Sequence, residues 1–203
     1  ILEHSGYFKS GHKDGEIINY YADGNIQIIQ NYAFGIKSGI EKHFYINGKV
    51  RYEGNYEYNY RDGVWTWYWS TGKKLKEESY KKAKLKRVID WYENGQRASE
   101  VERDGALNHG KYIVWYKNGN KKEHRIYKWH KLNGKWTGWY TNGVKRIEGN
   151  VKHGMMQGKW TLWWPNGQKE LECVFDFGSP HAAAKAWYDN GVLKKKISFE
   201  DEI

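Results

Sequence analysis

One glycine recurs along the chain with a period of two dozen residues: Gly24, Gly48, Gly72, Gly95, Gly119, Gly143, Gly167 and Gly191, at steps of 24, 24, 23, 24, 24, 24 and 24. Such self-similarity is the signature of a repeat architecture and outranks any domain count drawn from length. Other columns keep the same register. The residue before the glycine is Asp23, Asn47, Thr71, Asn94, Asn118, Asn142, Asn166 or Asn190. Four before it stand Tyr20, Phe44, Tyr68, Trp91, Trp115, Trp139, Trp163 and Trp187, and three before it Tyr21, Tyr45, Trp69, Tyr92, Tyr116, Tyr140, Trp164 and Tyr188. Asn-Gly between aromatic segments is the strongest short hairpin signal, through a type I′ turn with positive φ at both central residues. Trp, Tyr and Thr suit a pleated, half-buried surface.

The expected fold is therefore all-β: an elongated, twisted antiparallel sheet of tandem β-hairpins, each about two dozen residues long. Residues 1–14 read as the remnant of a preceding hairpin, with the chain beginning inside that hairpin's second strand. Residues 15–199 read as eight hairpins, and 200–203 as a C-terminal tail. Most units open on a glycine nine before the turn glycine (Gly15, Gly39, Gly63, Gly110, Gly134, Gly158). Lys86 and Ala182 take that place in the fourth and eighth units. A ring or apolar residue usually stands eight after it, from Tyr32 to Phe199, with Arg103 the exception. The short step lies between Tyr80 and Lys86, which predicts a shortened loop between hairpins. Pro180 to Ala184 allows a short helical turn.

The composition agrees with a ribbon that has no aliphatic centre. Only 39% of the chain is hydrophobic, yet 17% is aromatic, with 12 Trp and 17 Tyr. Burial is expected from rings and from Lys and Arg stems. The single Cys173 excludes an internal disulfide framework and reads as a small buried side chain. No apolar run reaches the ~18 residues of a membrane helix, so no transmembrane segment is expected. Neither the cytoplasm nor the cell envelope is excluded as the compartment.

Period-two sorting gives each unit two faces. Trp136, Gly138 and Tyr140, or Trp160, Leu162 and Trp164, form the expected core face. The opposite face repeats a cation, a small or β-branched residue and a Trp. Its candidate binding residues are Arg87 with Trp91, Lys111 with Trp115, Lys135 with Trp139, and Lys159 with Trp163. A net charge of +10 favours acidic partners: an acidic protein surface, nucleic acid or anionic lipid. Cations interleaved with rings also suit sugar chains and single-stranded nucleic acid. The bland alternative is a solvated surface that discourages edge-to-edge aggregation.

No catalytic constellation is present. The eight histidines show no metal-ligand spacing, and no phosphate loop or nucleophile elbow occurs. No cofactor is expected. Glu53, Glu77, Glu100, Glu148 and Glu172 recur five after the turn glycine and read as cross-strand partners of Lys or Arg.

The unit Gly134-Lys135-Trp136 … Trp139-Tyr140 … Asn142-Gly143 … Lys145 … Glu148 resembles the bacterial variant of the MORN repeat, as does Gly158 to Glu172. The likeness covers residues 15–199 and weakens at Lys86 to Arg103 and at Ala182 to Ala184. It implies an extended hairpin array without an active site, acting in protein–protein interaction or on acidic lipids. It also implies kinship with antitoxins of the YwqK type, which are partners of a toxin. A second likeness is to choline- or glucan-binding cell-wall repeats, which implies glycan binding.

Overall fold

The computed structural model describes residues 4–181 and 183–198. Ala182, Phe199, the 200–203 tail and the first three residues of the predicted remnant lie outside them. Every regular element among the described residues is a β-strand. The chain divides into two compact units, residues 1–96 with 104–106, and residues 97–103 with 107–203.

The first unit contains β1 (His4–Lys9), β2 (His12–Tyr20), β3 (Ile26–Ala33), β4 (Ile36–Phe44), β5 (Val50–Glu57), β6 (Tyr60–Tyr68), β7 (Lys74–Lys81) and β8 (Lys84–Trp91). Each pairs antiparallel with the next. The second unit holds β9 (Arg97–Asp104) up to Arg103, β10 (Leu107–Trp115), β11 (Lys121–Lys128), β12 (Lys131–Leu132), β13 (Gly134–Trp139), β14 (Lys145–Lys152), β15 (Met155–Trp163), β16 (Lys169–Asp176), β17 (Ser179–Pro180), β18 (Ala184–Trp187) and β19 (Leu193–Ile197). Here β12 and β13 both pair with β11, and β17 and β18 both pair with β16. Where the sequence allowed a short helical turn from Pro180 to Ala184, Ser179 and Pro180 pair as strand with Asp176 and Phe175, and Ala184 begins β18.

The Asn-Gly turns are not of type I′. Only the glycine has positive φ, 86° at Gly143, and Asn142 does not. The Gly143 amide donates to the Tyr140 carbonyl at 3.0 Å, and the Tyr140 amide to Val144 at 2.8 Å. This is a three-residue hairpin loop in which an ordinary turn is followed by a left-handed glycine and a bulge. Asn142 acts through its side chain instead: Oδ1 accepts from the Val144 amide at 3.0 Å.

The type I′ turns lie at the other end of the strands, where the sequence suggested loops. Ala33 pairs Ile36, Glu57 pairs Tyr60, Lys81 pairs Lys84, and Lys128 pairs Lys131 across two-residue connections. Both central residues have positive φ at Tyr58-Asn59 (49° and 65°), Lys82-Ala83 (51° and 60°) and Trp129-His130 (50° and 63°). The twist of the flanking strands demands this geometry whatever residues fill it. Each such residue carries a conformational cost of about 1 kcal/mol or more. The tips are also exposed, with Trp129 83% accessible.

The missing residue is not taken from a loop either. In a full-length repeat the strand after the tip bulges: Glu53 pairs Thr66, yet Asn55 pairs Asp62. The opening glycine sits in that bulge, at φ 65° for Gly63. In the short repeat Ser79 pairs Arg87 and Tyr80 pairs Leu85, so the bulge is smaller. Lys86, which replaces the glycine there, no longer needs positive φ. Losing a residue and losing its glycine are one event.

Rings bury by lying across a neighbouring strand. Trp65 and Trp160 are 0% and 1% exposed. A Cβ added to Gly54 or Gly149 would lie 2.1 Å from those rings, so each indole occupies the space that a side chain opposite would fill. Their Nε1 atoms donate to the carbonyls of Asn55 (3.0 Å) and Asn150 (3.1 Å). Cys173 is buried opposite Trp160, as the sequence suggested.

Candidate functional site

The predicted binding face is not a bare rail of cations. Register brings Glu148 between Thr137 and Thr161, and Thr161 between Glu148 and Glu172. Both threonines are buried, at 4% and 8% exposed. Their burial departs from the expectation that only the opposite face forms a core. Thr66 and Ile89 are buried in the same way in the first unit. The long stems and carboxylates of flanking strands cover these small residues.

Each glutamate holds two lysines. Lys135 and Lys145 reach Glu148 Oε2 at 3.1 and 2.9 Å, and Lys159 and Lys169 reach Glu172 Oε2 at 2.9 and 2.8 Å. At Glu148 burial acts to raise the pKa, but the hydrogen bonds and charges of Lys145 and Lys135 outweigh it and lower it. At Glu172 the hydrogen bonds from Lys169 and Lys159 dominate, with the same net direction. Each Lys–Glu–Lys triad keeps one positive charge in excess. Lys135 and Lys159 remain 55% and 58% exposed, so the triads are open to solvent and ligand.

Three of the predicted residues come together. Lys135, Lys159 and Trp163 line a shallow pocket of about 320 Å³ floored by Thr161 and bordered by Glu148. The ammonium of Lys145 stands 5.7 Å from the centre of the Trp163 ring. Trp139 lies one repeat earlier, paired with Lys145, and its carbonyl accepts the Tyr116 hydroxyl at 2.9 Å. Lys111 lies opposite Ile126, and Trp115 opposite Lys121. Arg87 and Trp91 belong to the first unit, where Arg87 lies opposite Ser79 and the Lys74 ammonium is 5.4 Å from the Trp91 ring.

Sequence reasoning missed two roles. In five repeats the aromatic residue three before the turn glycine, Tyr21, Tyr45, Tyr116, Tyr140 or Trp164, is a staple to the next repeat as well as a packing ring. The hydroxyls of Tyr21, Tyr45, Tyr116 and Tyr140 donate to the carbonyls of Phe44, Tyr68, Trp139 and Trp163 at 2.7–2.9 Å, always 23 residues ahead. Asn47, Asn118, Asn142 and Asn166 do the same with Nδ2, to Ser70, Thr141, Pro165 and Asp189. The Nε1 of Trp69, where the spacing is one residue short, is buried without a partner. The identical offset of these residues from each turn glycine was the available signal.

The second is His124. It occupies the glutamate column, five after Gly119, and breaks it. It sits opposite Ile113 and Thr137, as Glu148 sits opposite Thr137 and Thr161. Burial first, and then the charges of Lys121, Lys111 and Lys135, hold its imidazole below the usual histidine range. Its Nε2 is buried without a partner.

No group of three or more His, Cys, Asp or Glu among the described residues is arranged to hold a metal ion. No helix among them is long and apolar enough to cross a membrane. Comparison with curated proteins gives no match. Comparison with protein families gives the MORN repeat variant seven times, over residues 13–33, 37–58, 61–82, 108–128, 132–153, 156–176 and 180–201. Those windows leave aside residues 83–107, around the shortened bulge. Matched over most of its length by tandem copies of one motif, and built of the hairpins that motif encodes, the chain belongs to the MORN repeat variant family.

Proposed function

We propose that this protein is a non-catalytic scaffold that binds an acidic protein partner along its Lys–Glu–Lys face. Binding and scaffold roles are general to MORN repeats. The observation that carries the acidic partner is the excess cation in each triad beside the pocket of Lys135, Lys159 and Trp163. A partner carboxylate placed there meets ammonium donors whose stems are already positioned by Glu148 and Glu172. The antitoxin role implied by the likeness to YwqK-type proteins is the narrowest form of this reading, with the acidic partner being a toxin held inactive. The experiment is capture of partners from the source cell by wild type and by the triple variant Lys111→Gln, Lys135→Gln, Lys159→Gln. An acidic protein retained by wild type and lost by the variant supports the reading; equal retention by both overturns it.

A second reading, binding of an anionic polymer, draws support from the lysine ammonium over the Trp163 ring, since bases stack on such rings. Single-stranded DNA binding that falls steeply with salt would favour it over the protein partner.

A further inference from the structure

The glutamate ladder of the second unit has an unfilled rung at His124. In the two complete rungs, one lysine from the strand before the turn and one from three residues before the glutamate close on its carboxylate: Lys135 and Lys145 on Glu148, Lys159 and Lys169 on Glu172. The corresponding lysines of the preceding repeat are Lys111 and Lys121, at the same offsets from Gly119. They flank an imidazole instead of a carboxylate. Lys135 adds a third cation from the next strand, although Glu148 already holds it. Among the described residues neither Lys111 nor Lys121 has an ion pair like those of its counterparts, while His124 Nε2 is buried with nothing to bond.

We propose that this rung is a docking site for a carboxylate carried by an acidic polypeptide segment, taking the place that Glu148 and Glu172 fill in the neighbouring rungs. The incoming carboxylate accepts hydrogen bonds from the Lys111 and Lys121 ammonium groups and from His124, which takes up a proton on binding. The sister rungs set the size and chemistry of the occupant: two ammonium groups at 2.8–3.1 Å from one carboxylate oxygen. The site rests on the acidic-partner reading and gives it an address.

Binding is expected to tighten as pH falls through the histidine range, because the bound anion favours the imidazolium. The charged groups facing His124 are Lys111 from β10, Lys121 from its own strand and Lys135 from β13. The nearby acids are engaged: Glu102 accepts the Lys111 amide, Glu100 pairs with Arg97, and Glu148 holds Lys135 and Lys145.

The test is titration of the full chain with a short glutamate-rich synthetic peptide, following the His124 ring by NMR and affinity by calorimetry. Wild type is expected to bind with a downfield shift of the His124 ring signals. The variant His124→Glu, which supplies the rung with its own carboxylate, should keep its melting temperature and lose affinity about tenfold. Equal binding by wild type and His124→Glu overturns the site and leaves the scaffold reading standing. An equal response of His124 to inorganic phosphate overturns the polypeptide carboxylate as occupant. Absence of peptide binding by wild type overturns this site; the scaffold reading falls with it only if the triple lysine variant also retains every captured partner.

Discussion

Trp160 and Trp136 occupy the same place in consecutive repeats of one unit, and they are held differently. Trp160 lies flat over Gly149, is 1% exposed, and donates Nε1 to the Asn150 carbonyl. Trp136 meets Arg125 where the glycine would be. The guanidinium stands 4.8 Å from the ring, with Glu123 paired to it at 2.6 Å, and the indole Nε1 is left buried without a partner. A third solution appears in the first unit, where Glu41 takes the tryptophan position and bonds Gln30 across the strand at 2.9 Å. A repeat column therefore fixes where a side chain points, while the residue facing it on the next strand decides how it is satisfied. The repeat is a frame that accepts apolar, cationic or acidic fillings.

The comparison can be broken at its strongest point by Trp160→Ala, which should cost about 3–5 kcal/mol in denaturant unfolding. Trp136→Ala should cost less, by about 1 kcal/mol or more, because an orphaned donor leaves with the ring. Equal losses would show that the facing residue does not matter.

The acidic filling is tested by pH. At Glu41 burial raises the pKa, but hydrogen bonds from His43, Lys37 and Gln30 prevail and bring it down to about 2. A folded-state pKa below the ordinary value of 4.5 gives stability that is fully present above pH 4.5 and is lost as pH falls towards 2. Thermal unfolding should lose on the order of 3 kcal/mol across that window. Glu41→Gln should flatten the slope there.

Gly149→Ala comes next. Its methyl group enters the Trp160 ring, and a loss of about 1–3 kcal/mol is expected in the same unfolding experiment. The corresponding change at the outer turn glycines would test backbone geometry, not this contact. Smallest is Asn142→Ala, which removes one staple to the Pro165 carbonyl and one bond within its own turn; about 1 kcal/mol is expected.

The periodicity of 24 made strands, turn positions and faces legible, because each depends on registered columns. Turn chemistry was not legible. Asn-Gly suggested type I′ at Gly143, whereas the paired positive φ values fall at the opposite strand ends, some with a glycine second, as at Phe34-Gly35, and others at Tyr58-Asn59, Lys82-Ala83 and Trp129-His130, pairs that carry no such signal. There the strands on both sides impose the backbone, and local preference yields. On the candidate site, the cross-strand role of Glu148 and Glu172 could be read from their column. The importance of His124 could not be read from its own type; it emerges only as the one histidine among glutamates, with lysines placed for an anion on either side.

The bonds that reach 23 residues ahead all run the same way, from a side chain of the earlier repeat to a backbone carbonyl of the later one. Such an array has a head and a tail, like a chain of people each holding the coat of the next. On the ribosome the donor of such a bond is always made before its acceptor, so each of these turns emerges with a hydroxyl, amide or indole waiting for the strand still to come. Assembly can follow translation, each newly finished turn being grasped by the one already in place.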